Sequence, residues 1–396
     1  MKLTFLRPLY ANAGKNAGKN AGKNAGKNAG KNAGGFASVY LDTSGTGQWP
    51  GATAVDIRWR DLREELSPAG VDAATLNALG EVLTGAALTA PGTAAFGHDG
   101  AVPLVVRLPA VPLREIARWA MLPDLLPLLI QSPPRPPHLL VSATRAGGDV
   151  LAVRTDDDVT RQRVQGTGWP VHKTKSGGSA QLEHQRAAEE AWETNAKELA
   201  GAVVSAAAGH VPEAIIVAGD VRARTMLVDK LPANLAGKAV IVNREIAVDS
   251  PELAAAAEQA LHQLEDADCR RRLEAFHDQL GTGGATEGLA ETVAALRDGQ
   301  VSELFLSGDY LADGPGAPGP AWSSAPAWIG PALADVGLSS EELHDRGLTG
   351  LARDRADAAI VRAVTGTDAE LFIVPAGEAP LRDDIGALLR YPVPGA

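Results

Sequence analysis

Apolar and polar positions change period several times along the 396-residue chain, and each change marks an element. "FASVYLDTS" alternates and is rich in β-branched and aromatic residues, which predicts a strand. In "AVDIRWRDLREEL", Ile57, Leu62 and Leu66 recur at helical spacing with charges between them, and "DAATLNALGEVLTGA" predicts a second helix. "AAFGHDGAVPLVVRLP" reads as a hairpin turning at "HDG". "HLLVSATRAGGDVLAV" is strand, Gly-Gly turn and strand, "DDD" at 156–158 is a turn, and "VTRQRVQGTG" is a third strand. A long helix follows from about Ala180 to Ala208, its apolar side carried by Ala188, Ala191, Trp192, Leu199 and Val203. "EAIIVAGD", "VRARTMLVDKL" and "KAVIVNRE" then give strand, helix and strand. Beyond Ser250, a natural N-cap before Pro251, the pattern predicts a long helix ended by "GTGG". "ATEGLAETVAALRDG" predicts a helix, "VSELFLSGD" a strand, "DRADAAIVRAVTGT" a helix, "AELFIVPA" a strand and "IGALLRY" a final helix.

Strands alternating with helices predict a mixed α/β protein. The proline run "SPPRPPH", Ser132 to His138, is the clearest break, and a second falls near Ser250. These breaks divide the chain into an N-terminal α/β domain (1–135), a middle domain (136–248) and a smaller C-terminal α/β domain (249–396). Residues 12–34 repeat "NAGK", with lysines at 15, 19, 23, 27 and 31 and no apolar face, so this tract is expected to be disordered within the first domain. The Pro/Gly-rich stretch from Asp313 to Trp328 is read as a loop.

Hydrophobic residues make up 45% of the chain, enough for a sizeable core, but aromatics only 4%, so Ala, Val and Leu must fill it. No apolar run reaches membrane-spanning length, and the start lacks an apolar signal region. Cys269, the only cysteine, excludes an internal disulfide and fits a reducing cytoplasm; its amphipathic surroundings make it a packing residue. The net charge of −11 argues against indiscriminate coating of nucleic acid, while leaving room for a local basic tip on an acidic body.

Most familiar chemistries fail on spacing. "GTGWPVHKTKSGG" has Lys-Thr, but His172 stands where a phosphate-binding loop needs glycine, and Pro170 removes a donor. "VAGDVRAR" has one glycine where a dinucleotide site needs three, so it reads as a tight strand-to-helix turn. The histidines show no metal-ligand spacing, no nucleophile elbow occurs, and no cofactor is called for. What remains is "VHKTKSGGSAQLEHQR", with Lys173 and Lys175 before Ser176-Gly177-Gly178-Ser179 and a helix start. Backbone N–H groups freed by glycine, a positive helix end and two lysines favour phosphate. From spacing alone, an ordinary strand-to-helix connection accounts for the same residues.

The order of elements breaks that tie. Two strands, a basic Gly-Gly loop, a long helix and "IIVAGDVRARTML" resemble the middle domain of archaeal and eukaryotic class-one peptide chain release factors. "TGWPVHK" and "IGALLRY" are similar to an actinobacterial branch related to the ribosome hibernation factor Balon. The resemblance implies a three-domain α/β architecture with a mobile Gly-Gly loop on the middle domain. It also implies ribosomal RNA contact through Trp169, His172, Lys173, Lys175, Ser176, Gly177, Gly178, Ser179 and Arg186. The family carries Gly-Gly-Gln; Gly177 and Gly178 match its glycines, but Ser179 stands where the glutamine would be, and Gln181 comes two residues late. The expectation is therefore a cytoplasmic hibernation factor in the vacant ribosomal A site, without peptide-release activity and without a metal. A translational GTPase such as elongation factor Tu is a candidate partner. The alternative is a peptidyl- or aminoacyl-tRNA hydrolase or a ribosome rescue factor of the same family.

Overall fold

The computed structural model describes residues 1–11, 34–44, 51–84, 90–132, 136–154, 159–166, 179–209, 211–243, 247–308, 322–378 and 380–392. In chain order its strands are β1 (Phe36–Asp42), β2 (Gly92–His98), β3 (Ala101–Leu108), β4 (Ile116–Ala120), β5 (His138–Thr144), β6 (Gly147–Val153), β7 (Val159–Gln165), β8 (Ala214–Gly219), β9 (Ala239–Ile241), β10 (Ala285–Glu287), β11 (Val301–Ser307), β12 (Pro326–Ile329), β13 (Val336–Gly337), β14 (Ala352–Arg355), β15 (Glu370–Val374) and β16 (Ile385–Leu389). The helices are α1 (Gly51–Ala69), α2 (Ala73–Leu83), α3 (Leu126–Gln131), α4 (Ser179–Gly209), α5 (Val221–Lys230), α6 (Ala233–Ala236), α7 (Pro251–Leu280), α8 (Leu289–Arg297), α9 (Ser340–His344) and α10 (Ala356–Thr367). The protein is mixed α/β and divides into two compact units, residues 134–271 and residues 1–133 with 272–396. Of the repeat expected to be disordered, only Gly34 falls within the described residues.

Residues 134–271 hold a five-stranded sheet ordered β7-β6-β5-β8-β9. β5 runs parallel to β8, and β8 to β9, while β6 is antiparallel to both β5 and β7. The period-2 alternation of β5 and β8 sends side chains to two cores. Leu139, Val141, Ile215 and Val217 face Leu199 and Val203 of α4 and Leu227 of α5. Leu140, Ala214 and Ile216 face Leu253, Ala257 and Leu261 in the first half of α7. A sheet covered on both faces explains why "EAIIVAGD" is a continuous apolar run.

In the other unit, a sheet ordered β3-β2-β1-β4 packs Ala37, Val39 and Leu41 against Val55, Trp59 and Leu62 of α1 and Leu76 and Leu79 of α2. The opposite face of β1, Phe36 and Tyr40, joins a core that also contains Leu304 and Leu306 of β11 and Ile360, Val361 and Val364 of α10. This shared core makes one unit of the two chain ends. Polar ties reinforce it. Met1 and Leu371 exchange backbone hydrogen bonds, the N-terminal amine donating at 2.6 Å. The Leu122 amide donates to Asp354 Oδ2 at 2.7 Å, and Arg118 is paired with the same carboxylate.

Three sequence expectations need correction. "IGALLRY" is not a helix; Ile385–Leu389 is β16, a central strand between β10 and β11. "ATE" within the expected helix 285–299 is β10, and the helix begins only at Leu289. The end of the stretch expected to be a Pro/Gly loop, Pro326–Ile329, is β12. Among the described residues no helix is long and apolar enough to cross a membrane. Cys269 is buried in α7.

Candidate functional site

The basic Gly-Gly loop connects β7 to α4, and its two roots meet at one end of the five-stranded sheet. The Gly166 amide, just past β7, donates to Ala146 O at 2.9 Å in the β5–β6 turn. Asn195 of α4, 1% exposed, donates from Nδ2 to Arg145 O at 2.8 Å in the same turn. The roots touch so closely that a Cβ on Gly166 would stand 2.0 Å from Asn195 Oδ1. Burial along α4 begins at Asn195 and continues through Ala196, Leu199 and Ala200. Ser179 stands 16 residues before Asn195 on α4, about 24 Å of helix at 1.5 Å per residue. The sheet thus holds the second half of α4, while Trp192 and Glu189 in the stretch before it meet Arg145 and Arg222.

Of the residues expected at the RNA contact, Trp169, His172, Lys173, Lys175, Ser176, Gly177 and Gly178 lie outside the described residues, and so does the expected loop itself. Ser179 is the first residue of α4, Gln181 follows two positions later on the same helix, and Arg186 is exposed. Among the described residues, no group of three or more His, Cys, Asp or Glu is placed to hold a metal ion.

The turn after β8 shows why its residues stand where they do. Gly219 has φ +117, and a Cβ there would collide with Ala143 O at 1.9 Å, so only glycine fits. Asp220 then caps α5, accepting from the amides of Arg222 and Ala223, each at 3.0 Å. Burial opposes ionisation of Asp220, but these amides and Arg145 outweigh it and hold its carboxyl below the usual range. The expected tight strand-to-helix turn is therefore what the structure contains.

The same end of the sheet carries a cluster that sequence reasoning missed. Arg145 lies over the Trp192 ring, with its guanidinium carbon 4.7 Å from the ring centroid, and Arg222 lies over it at 5.3 Å. Arg145 Nη2 pairs with Asp220 at 3.0 Å, and Arg222 Nη2 with Glu189 at 2.8 Å. Trp192 reads in sequence as one apolar position of an amphipathic helix, whereas the structure leaves it half-buried between two cations. The available signal was a tryptophan at the limit of the apolar stripe, with one arginine directly after β5 and another two residues after Asp220. Nearby, Arg161 of the edge strand β7 bridges Asp149 and Asp249, and Arg161 holds the Asp249 carboxyl below its ordinary range.

Comparison with known proteins bears on this geometry. Residues 137–282 match the family described as bacterial archaeo-eukaryotic release factor family 2. Across 90% of this chain and 93% of its own length, Rv2629 of Mycobacterium tuberculosis is 28% identical to it. Among solved structures, the archaeal translation termination factor aRF1 aligns over 90% of this chain and 92% of its own, at 15% identity and a TM-score of 0.24. Archaeoglobus fulgidus Pelota aligns over 71% and 73%, at 16% identity and a TM-score of 0.34. Dom34 of S. cerevisiae, described as a translation termination-like factor involved in RNA quality control pathways and interacting with Hbs1, aligns over 68% of each chain, at 12% identity and a TM-score of 0.34. The expectation of a hibernation factor is corrected on this finding: the similar proteins are described by termination and RNA quality control, not by ribosome idling.

Proposed function

We propose that this chain is a ribosome rescue factor of the release-factor type. The observation that carries the reading is the release-factor match over residues 137–282, which spans both roots of the loop and the helix that bears it. The anchored helix supports the same reading, because α4 starts at Ser179, directly after the Gly-Gly pair in sequence, and is fixed to the sheet at Asn195. Dom34 is described as interacting with Hbs1, and another structure shows ribosome-bound archaeal Pelota with ABCE1. By analogy the chain enters the A site of a stalled ribosome, places Gly177-Gly178 towards the peptidyl transferase centre, and works with a translational GTPase.

Ester hydrolysis is not part of this role. A release factor's glutamine helps position water at the peptidyl ester, and Ser179 has neither the length nor the amide of that side chain. The factor instead clears the ribosome by holding a conformation that its partners dismantle. The test uses ribosomes stalled at the end of a truncated messenger and carrying a labelled nascent chain. The factor is expected to bind them and promote subunit splitting when a translational GTPase is present, leaving the peptidyl ester intact when it acts alone. Peptide release by the factor alone, abolished by Gln181→Ala, would establish the hydrolase instead. Failure to bind stalled ribosomes would end both readings.

A further inference from the structure

We propose that Arg145, Trp192 and Arg222 form a second RNA-backbone contact, at the root of the helix that carries the Gly-Gly loop. The inference rests on the ribosomal reading above and adds a site to it.

Strands β5, β7 and β8 all point the same way, so Arg145, Gly166 and Asp220 emerge at one end of the sheet. That is the end from which α4 runs outward. On the ribosomal reading, RNA met by the start of α4 at Ser179 also faces this shoulder. The Arg145 and Arg222 side chains are each 53% exposed, so both reach solvent beside their carboxylate partners. Trp192 holds both against its ring by cation–π contact, which lowers the entropy cost of presenting two forked donors together. Thr144, Ala223 and Met226 complete a recess around them.

Paired planar forks suit phosphate oxygens, which accept two parallel N–H bonds from one arginine. In the free protein carboxylates take that place, Asp220 against Arg145 and Glu189 against Arg222. The two are not equivalent. Asp220 also caps α5 and is fixed by it. Glu189 is 54% exposed on α4, so a phosphate can displace it. Glu189 therefore acts as an internal competitor that weakens RNA binding by the free protein. An acidic protein surface would answer the same charges, but the position beside an RNA-seeking tip favours nucleic acid.

Binding of the full chain to purified mycobacterial 70S ribosomes, measured by co-sedimentation from low to high potassium chloride, tests the site. Arg145→Gln with Arg222→Gln should weaken binding and flatten the log–log salt dependence by about 1.4, two phosphates at roughly 0.7 each. Glu189→Gln should act oppositely and tighten binding about two- to threefold, the release of one weak surface ion pair. Unchanged binding by both variants while the wild type binds overturns the inference and leaves the rescue reading standing. Weaker binding with an unaltered salt slope also overturns it, by indicating a protein contact. No binding by the wild type overturns both. Should the double variant melt lower than wild type, the Glu189→Gln result decides alone.

Discussion

Asp357, at the start of α10, offers a sharp test of how the two chain ends are joined. It is 0% exposed and lies in a cluster where three carboxylates share two guanidiniums. Arg118 pairs with Asp354 and approaches Asp124 at 3.7 Å; Arg355 pairs with Asp357 and approaches Asp124 at 3.8 Å. One negative charge is in excess in a dry place. Burial, and then repulsion from Asp124, push the Asp357 carboxyl up to about 6, against the opposing pull of Arg355. Its ordinary value is 3.8, so ionised Asp357 costs the folded state on the order of 2–3 kcal/mol at 1.36 kcal/mol per pKa unit. The sign follows from proton linkage: the folded state holds this proton more tightly than the unfolded chain. Stability from this group therefore rises as pH falls from about 7 towards 4, and the penalty is complete above the folded value.

Asp357→Asn removes the excess charge while keeping an acceptor for the Ala358 amide, which now donates to Asp357 Oδ1 at 2.7 Å. At pH 8 the substitution should stabilise the protein by roughly 1–3 kcal/mol, and at pH 5 by much less. Guanidinium chloride unfolding of wild type and variant at both pH values reads this directly. Destabilisation at pH 8 by more than about 1 kcal/mol would refute the reasoning, because it would mean that the Asp357–Arg355 pair outweighs desolvation and repulsion. An equal difference at pH 5 and pH 8 would also refute it.

Three further outcomes are expected. Asp220→Ala should cost about 1–2 kcal/mol in thermal or chemical unfolding at pH 7, through loss of the α5 cap; because the Asp220 carboxyl is held low, the difference should shrink as pH falls through its folded-state value. Gly166→Ala should force Asn195 from its place and cost about 1–3 kcal/mol, with faster amide exchange in the β5–β6 turn; an unchanged melt would show that the roots do not constrain each other. Lys173→Ala with Lys175→Ala should weaken ribosome binding and reduce its salt dependence by about 1.4, and unchanged co-sedimentation would remove the tip from the interface.

Much of this architecture was legible because burial and period agree. The strands flanking the loop, the 31-residue α4 and the 30-residue α7 all follow the pattern of their apolar residues. "IGALLRY" failed for a physical reason. Ile385, Leu388 and Leu389 satisfy helical spacing, yet β16 is sandwiched between two strands, and a continuous apolar run fits either form. "ATE" is too short to show any period, and its pairing with Gly386, Ala387 and Leu388 is a long-range property. The Arg145–Trp192–Arg222 cluster was illegible for the same cause, since its members come from a turn, a helix and another helix start, up to 77 positions apart (222 − 145). The expectation that ester hydrolysis is lost, by contrast, rests on residue identity at Ser179 and needs no coordinates.

The anchoring of α4 at Asn195 makes that residue a fulcrum. With a lever of about 24 Å, a tilt of roughly 5° at the pivot swings the far end by about 2 Å. Displacements of that order decide whether a group meets a reacting bond or misses it. The direction of α4 is thus governed from a buried amide, and drift in sequence at the pivot can retune it while every residue of the loop stays the same.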